Sequence, residues 1–515
     1  MVDVQDSPSG VSPLLRSILS SHVYGLAQET PLTRAPKLSS RLEADVWLKR
    51  EDQQPIFSFK IRGAYNCLAS LSSEERDRGV IAASAGNHAQ GVAYSARHLG
   101  CPAVIVMPRT TPDIKVDAVR SAGAEVVLAG DHYAQAEEEA LRIGAARGLT
   151  FVHAYDDLRV IAGQATVAVE ILRQHADNLG AIFVPVGGGG LLAGVGVYVK
   201  AVMPSVRVYG VQPVDADAMF QSLAAGHPVA LEHPGLFVDG VAVRRVGRHT
   251  FPLVQATVDS VIRVSNDQIC AAIKDVFEDT RSIVEPAGAL AVAGLKAHLE
   301  AGGERHGAQV AVLSGANLNF DRLRFVAERA ALGEAREALF AVTIPERPGA
   351  FLEFCTTLGP RVVTEFNYRL SGRERAEIFV GFATRSHDDA AQVAAQLRAR
   401  DYDVADLTEN EVAKLHARHM VGGRARDVEH ERVCRFEFPE RPGALLQFLQ
   451  TLGGRWNISL FHYRNHGADF GRVFAGFEVR EQDLPAFNGF LEATGYWYLM
   501  ELENEAYRRF LVDRG

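Results

Sequence analysis

Cysteine is scarce in this chain and forms no pattern. Five cysteines are spread over 515 residues, at positions 67, 101, 270, 355 and 434, and none stands in a C-x-x-C pair. That excludes a disulfide framework and a thiolate zinc site as organising devices, and it suits a reducing cytoplasm; no metal site is expected. Blocks of basic residues are also missing. The 54 basic and 63 acidic residues are interleaved and leave a net charge of −9, so the footprint of a nucleic-acid binder is absent. The first 20 residues have no basic start followed by an apolar core, so no secretory leader is expected. One charge-free stretch, Leu179 to Val199, has the length of a membrane span. It holds seven glycines and Pro185, which predicts a strand, a glycine loop and a helix start instead. No membrane association is expected.

What is present is the composition of a globular protein, 47% apolar and 23% charged. The length suggests about three domains, with expected bounds 1–332, 333–425 and 426–515. From about Thr30 to Ala330, short apolar runs alternate with amphipathic segments. Val80–Ala83, Ala103–Met107, Ala124–Leu128, Ala181–Val186, Val206–Val211 and Val310–Leu313 read as buried strands. Ala89–Leu99 and Asp131–Ala146 read as helices. Such alternation predicts an α/β fold of parallel sheets covered by helices.

Beyond about Leu332 the chain repeats itself. Pro345-Glu346-Arg347-Pro348-Gly349-Ala350 returns as Pro439-Glu440-Arg441-Pro442-Gly443-Ala444. Phe366-Asn367-Tyr368-Arg369 returns as Phe461-His462-Tyr463-Arg464, and Phe379-Val380-Gly381-Phe382 as Phe474-Ala475-Gly476-Phe477. The offset is 94 residues for the first pair and 95 for the other two. Each unit reads strand, turn, helix, strand, strand, helix, strand, the order of an α+β ferredoxin-like sandwich. The first helix carries apolar residues at i, i+3, i+4, i+7 in both units: Phe351, Phe354, Cys355, Leu358 and Leu445, Phe448, Leu449, Leu452.

Five segments bear on chemistry. Lys60 lies among apolar neighbours in Ser58-Phe59-Lys60-Ile61-Arg62-Gly63-Ala64-Tyr65; burial lowers a lysine's pKa and frees the amine as a nucleophile, whereas the plain reading is a lysine that snorkels from a helix end. Ser84-Ala85-Gly86-Asn87-His88-Ala89-Gln90-Gly91 follows a strand and opens a helix, offering N–H groups to an anion such as a carboxylate, or simply a polar cap; His88 fits a satisfied structural histidine better than a base. Gly187-Gly188-Gly189-Gly190-Leu191 joins a strand to an apolar helix. Four glycines in a row let backbone amides converge on a phosphate. The G-x-G-x-x-A pattern within that run also fits a dinucleotide fingerprint, but the next strand ends in Gln212 where an acid should hold ribose, and Asp215 comes late. Ser314-Gly315-Ala316-Asn317 ends a strand, where a serine faces the crevice of an α/β sheet. Glu285-Pro286-Ala287-Gly288 opens a helix and reads as capping chemistry, with a site role as the alternative.

In this order the segments resemble the fold-type II pyridoxal phosphate enzymes and, within them, the threonine ammonia-lyases. Lys49-Arg50-Glu51-Asp52 and Gly235-Leu236-Phe237-Val238-Asp239-Gly240-Val241-Ala242-Val243 carry the same resemblance, which covers nearly the whole chain. The repeated tail resembles the paired ACT-like regulatory domains of the long biosynthetic form. Two departures stand out: Ala165 in Gly163-Gln164-Ala165-Thr166, and Ala316 in place of the second glycine of S-G-G-N.

The resemblance implies a set of roles. Lys60 would carry pyridoxal phosphate and act as the catalytic base. The amides of Gly187, Gly188, Gly189, Gly190 and Leu191 would hold its phosphate. Asn87 would meet the ring's 3′ oxygen, Ser314 the ring nitrogen, and the loop Ser84, Ala85, Gly86, Asn87, His88 the substrate carboxylate. The substrate implied is L-threonine, with L-serine as the alternative. Isoleucine and valine would be effectors, with Tyr368 and Tyr463 as candidate effector residues, and the assembly a cytoplasmic homotetramer. A serine-directed dehydratase or racemase on the same scaffold, and an amino-acid sensor with an inactive front end, are the competing readings.

Overall fold

The computed structural model describes residues 12–130, 133–175, 177–232, 234–235, 237–320, 322–369, 374–410, 413–414, 418, 428, 430–439, 444–464, 470–504, 507 and 511. They form two compact units, which divide after Gly333.

The first unit is built on two sheets. The larger has six strands in the order Leu32–Arg34, Asp45–Arg50, Ala308–Leu313, Leu179–Pro185, Arg207–Pro213 and Ser260–Val264, all parallel except the first pair. The smaller runs Glu125–Leu128, Ala103–Met107, Val80–Ala83 and Thr150–Phe151, all parallel. Val80–Ala83, Ala103–Met107 and Ala308–Leu313 are buried along their whole length. Unbroken apolar runs fit a sheet with helices on both faces. All six strands expected from sequence are present, with ends moved by at most two residues, but Glu125–Leu128 lies at a sheet edge and is exposed at both ends rather than buried. The helix expected at Ala89 begins at Asn87, because the polar residues before the apolar run already form its first turn. The helix expected from Asp131 spans Tyr133–Arg147, and 131–132 lie outside the described residues. The uncharged stretch is a strand, Leu179–Pro185, and a helix, Gly190–Val202. Among the described residues no helix is long and apolar enough to cross a membrane.

Three of the chemistry-bearing segments follow the C-terminal ends of parallel strands: Ser84 after Val80–Ala83, Gly187 after Leu179–Pro185, and Ser314 after Ala308–Leu313. In open α/β sheets this edge forms the ligand crevice. Lys60 opens the helix Lys60–Ala69, which packs on the helices Asn87–Leu99 and Leu158–Gln174. Glycine permits the closest approach: a Cβ at Gly163 would lie 2.7 Å from the Arg62 carbonyl oxygen and 2.8 Å from Gly63 Cα. Ala165 fits because it faces another glycine, Gly194, where a Cβ would stand 3.0 Å from that of Ala165.

Behind Lys60 the same helix is anchored by buried charge. Arg62 donates from Nε and Nη2 to Glu51, each at 2.7 Å, and from Nη1 and Nη2 to Glu170 at 2.6 and 2.9 Å. Lys49 Nζ donates to Glu170 Oε2 at 2.6 Å. All four side chains are fully buried. Two cations and two carboxylates cancel, which is the arrangement a dry interior tolerates.

The second unit is one eight-stranded antiparallel sheet in the order Asp403–Asp406, Glu337–Pro345, Arg375–Ala383, Val363–Arg369, Asn457–Arg464, Phe470–Glu478, Glu431–Pro439 and Trp497–Met500. Among the described residues, each sequence repeat supplies four strands with two helices between them in the expected order. The repeats meet through their own recurring segment: Phe366 lies opposite Tyr463 and Tyr368 opposite Phe461. Phe351, Phe354, Cys355 and Leu358 are buried, as are Phe448, Leu449 and Leu452, with Leu445 partly buried against them. The Arg347-Pro348-Gly349 turn places Gly349 at φ +90°, a conformation that favours glycine, directly before the helix Ala350–Leu358. The corresponding turn at 441–443 and the expected boundary between 425 and 426 lie outside the described residues.

Candidate active site

Lys60 is delivered by a backbone latch. Phe59 N–H donates to the Ser314 carbonyl at 3.1 Å, Ala316 N–H donates to the Phe57 carbonyl at 2.9 Å, and Ser58 bridges Gly315. Two segments more than 250 residues apart in sequence thus form one rim. Lys60 Nζ donates to the Ala154 carbonyl at 2.9 Å and lies 5.3 Å from the Phe59 ring centre. Burial pushes its ammonium down to about 8, against a smaller opposing pull from Glu285. An amine so placed is available to react near neutral pH.

The glycine loop itself presents only backbone. A Cβ at Gly188 would fall 2.2 Å from the Tyr155 ring, one at Gly190 2.9 Å from the Tyr155 carbonyl oxygen, and one at Gly187 3.0 Å from Val241 Cα. Gly189 has φ +99°. No side chain can be added at any of the four without strain or displacement. The Gly188 carbonyl is taken by Thr250 Oγ1 at 2.6 Å and by Gly247 N–H at 3.2 Å. The helix Gly190–Val202 begins here, so its first amides and its positive dipole end are available to a phosphate. Gln212 is wholly buried and bonded to the Val186 and Ala216 carbonyls, which removes the ribose partner a dinucleotide would need.

The loop Ser84–Asn87 is partly exposed, and a Cβ at Gly86 would meet nothing within 4 Å. The loop thus faces open space with the N-terminal amides of the helix Asn87–Leu99 at its end. The ring of His88 is turned away from this space. It is 3% exposed and its Nε2 sits 2.9 Å from the Val152 carbonyl oxygen. Burial, helped by Lys60, pushes it down to about 3, so it stays neutral. His88 can serve this loop only through its backbone amide.

Asn87 donates from Nδ2 to Glu285 Oε1 at 2.7 Å and accepts at Oδ1 from Asn317 Nδ2, also at 2.7 Å. Ser314 is 2% exposed, and its hydroxyl donates to the Ala287 carbonyl at 3.1 Å. Sequence reading gave no role to Tyr155, which roofs the glycine loop, and none to Asn317. Glu285 was read as capping, yet its side chain makes no capping bond.

These features fit pyridoxal phosphate. A side-chain-free cradle at a helix start suits its phosphate, a partly desolvated lysine suits its aldehyde, and an asparagine amide and a serine hydroxyl suit its ring heteroatoms.

In the second unit, Tyr368 is buried and its hydroxyl donates to Glu346 Oε2 at 2.6 Å. Asn457 of the second repeat donates to the other oxygen of Glu346 at 3.2 Å. Burial holds the Glu346 carboxyl above the usual range, with the Tyr368 hydrogen bond opposing. Tyr463 is buried on the adjoining strand.

Comparison with known proteins agrees. Residues 23–315 match the family of pyridoxal-phosphate dependent enzymes, and residues 328–417 and 422–511 each match the C-terminal regulatory domain of threonine dehydratase. The biosynthetic L-threonine dehydratase of Burkholderia multivorans is 56% identical over 96% of this chain and 99% of its own length. That of Escherichia coli is 51% identical over 98% of both chains. Among solved structures, the processed form of threonine deaminase isoform 2 from Solanum lycopersicum aligns with TM-score 0.62 at 47% identity, covering 64% of this chain and 95% of that one. The chain belongs to the biosynthetic threonine dehydratases, pyridoxal-phosphate-dependent lyases with a fold-type II catalytic region and a duplicated C-terminal regulatory region.

Proposed function

We propose that this chain removes water and ammonia from L-threonine to give 2-oxobutanoate, the entry to isoleucine synthesis, and that isoleucine restrains it through the C-terminal unit. The observation that supports the reading is that Lys60, latched beside Ser314, shares the crevice edge with three segments that follow parallel strands: the Asn87 loop, the glycine run and Ser314. An inactive amino-acid sensor would have no need to keep all of them together.

When bound, pyridoxal phosphate supplies an electron sink for negative charge developing at the substrate's Cα. The amides of Gly187 to Leu191 would bind the phosphate. Lys60 would hold the cofactor, and its free amine would take the Cα proton, a role its depressed pKa suits. The Ser84–His88 loop orients the substrate carboxylate. Asn87 would meet the ring's 3′ oxygen. Ser314 would offer a neutral hydroxyl to the ring nitrogen, a partner too weakly acidic to protonate it, which would favour prompt elimination over transamination.

Isoleucine as inhibitor and valine as its antagonist would act at the strand–turn–helix pockets near Tyr368 and Tyr463. A cytoplasmic homotetramer is the assembly this reading expects. The test is the initial rate of 2-oxo acid release from L-threonine across rising isoleucine. A threonine-dependent rate suppressed by isoleucine supports both halves. A rate indifferent to isoleucine removes the regulatory half, and no rate with pyridoxal phosphate supplied removes the catalytic half.

A further inference from the structure

Glu285 occupies the N-cap of the helix Pro286–Glu300 but does not cap it. Its carboxylate is turned across the crevice to Asn87, 198 residues away in sequence, and the fold makes room for it there. A Cβ at Gly315 would lie 2.6 Å from Glu285 Oε1 and one at Gly240 would lie 3.8 Å from it. The Glu285 N–H donates to the Gly315 carbonyl at 3.2 Å, which fixes where the side chain starts. At the far end of the same amide, Asn317 is itself held, its Nδ2 donating also to the Ile56 carbonyl at 2.9 Å.

A primary amide has two N–H donors and a carbonyl oxygen with two lone pairs. Rotation by half a turn exchanges the two ends at almost no steric cost, so their orientation must be set by neighbours. An ionised carboxylate can only accept, and therefore takes the nitrogen end. The Asn317 amide nitrogen can only donate, and takes the oxygen end. After both bonds, Asn87 keeps one N–H to give.

We propose that Glu285 is a positioning residue which, with Asn317, fixes the orientation of the Asn87 amide so that its second N–H is the donor available to the cofactor's ring oxygen. The inference rests on the reading that Asn87 meets that oxygen. A donor there favours the deprotonated oxygen, and the visible absorption of the bound cofactor reports that protonation. The grip is also pH-sensitive. The charged groups facing Glu285 are Asp239, the first residue of the turn Asp239–Val241, Lys115 from the helix Asp113–Ser121, and Lys60 from the helix Lys60–Ala69. Burial first, then Asp239, raises its carboxyl to about 7, with the Asn87 hydrogen bond, Lys115 and the Asn317 backbone opposing. Once protonated, Glu285 acquires a donor and no longer dictates which end of Asn87 it meets.

The test uses the full-length protein with Glu285→Gln, Asn87→Ala and the double variant, each checked for folding by thermal melting. Pyridoxal phosphate affinity and the ratio of the bound cofactor's absorption bands are followed across neutral pH. Glu285→Gln should weaken cofactor binding about tenfold, the scale of one charge-assisted hydrogen bond, and should flatten the pH dependence of the band ratio near 7. Its effect should vanish in the Asn87→Ala background. Asn317→Ser loosens the other end and should move both readouts in the same direction, which keeps the test open if Glu285→Gln does not fold. The proposal is overturned if Asn87→Ala alters both readouts while Glu285→Gln and Asn317→Ser leave them unchanged. It is overturned equally if Glu285→Gln acts undiminished without Asn87, which would make Glu285 a direct contact. If Asn87→Ala itself changes neither affinity nor absorption, the underlying reading of Asn87 fails and this one with it.

Discussion

Lys60 and Arg62 stand two residues apart on one helix, both cations in a protein interior, and their surroundings differ in kind. Burial works to lower the pKa of Arg62, but Glu51 and then Glu170 more than reverse it, and the guanidinium is held above its ordinary value. Its donors meet four carboxylate oxygens, and Lys49 shares Glu170. Lys60 has a carbonyl oxygen for a partner and only a weak pull from Glu285, so burial prevails and its amine is brought down to about 8. A cation saturated with carboxylates is inert and fixes structure; one short of them is a nucleophile in waiting. The arrangement anchors the helix at one residue and leaves the other free to react.

The comparison can be broken most severely at Arg62. Arg62→Met takes the paired cation from Glu51 and leaves Glu170 with Lys49 alone in a dry interior, and should cost about 3–5 kcal/mol of stability, measured by denaturant unfolding. Next, Gly188→Ala puts a Cβ against Tyr155 and should weaken pyridoxal phosphate binding by about 100-fold, roughly 3 kcal/mol, while leaving both cations in place. The comparison is sharpened by the same substitution at Lys60. A depressed folded pKa contributes stability that is full above the unfolded value and is lost as pH falls through about 8. At neutral pH the cofactor-free protein therefore bears the cost of a poorly solvated ammonium. Lys60→Met should raise its stability by about 1–2 kcal/mol, opposite in sign to Arg62→Met, and should remove the loss seen in the parent as pH falls from above 10 toward 8. Smallest is Tyr368→Phe in the other unit. Losing the bond to Glu346 should cost about 1 kcal/mol and blunt isoleucine inhibition, read from dose–response curves; an unchanged response would remove Tyr368 from the effector site.

The glycine loop was legible because four glycines in succession suit a turn with no room for side chains, and a Cβ at each position would meet a neighbour within 3.0 Å. The strands were legible because parallel strands covered on both faces are unbroken apolar runs. Lys60 was not legible alone, since a buried lysine and a snorkelling one have the same neighbours in sequence; its partner segments singled it out. Glu285 was misplaced by local logic. An acid before proline at a helix start is ordinarily a cap, and nothing nearby in sequence reveals that Asn87 waits across the crevice. Tyr155 sits in a segment with no motif. The tail's duplication was plain, but not that the two copies join Val363–Arg369 to Asn457–Arg464 in a single sheet, because edge pairing depends on three-dimensional exposure of strands that look alike in sequence.

The central claim is that the uncompensated amine of Lys60 does the chemistry of a threonine dehydratase. The most direct measurement is the initial rate of 2-oxo acid formation from L-threonine by the parent and by Lys60→Ala, both saturated with pyridoxal phosphate. The account predicts turnover in the parent and a fall of about four orders of magnitude or more in the variant. A variant that still turns over threonine within tenfold of the parent would contradict it.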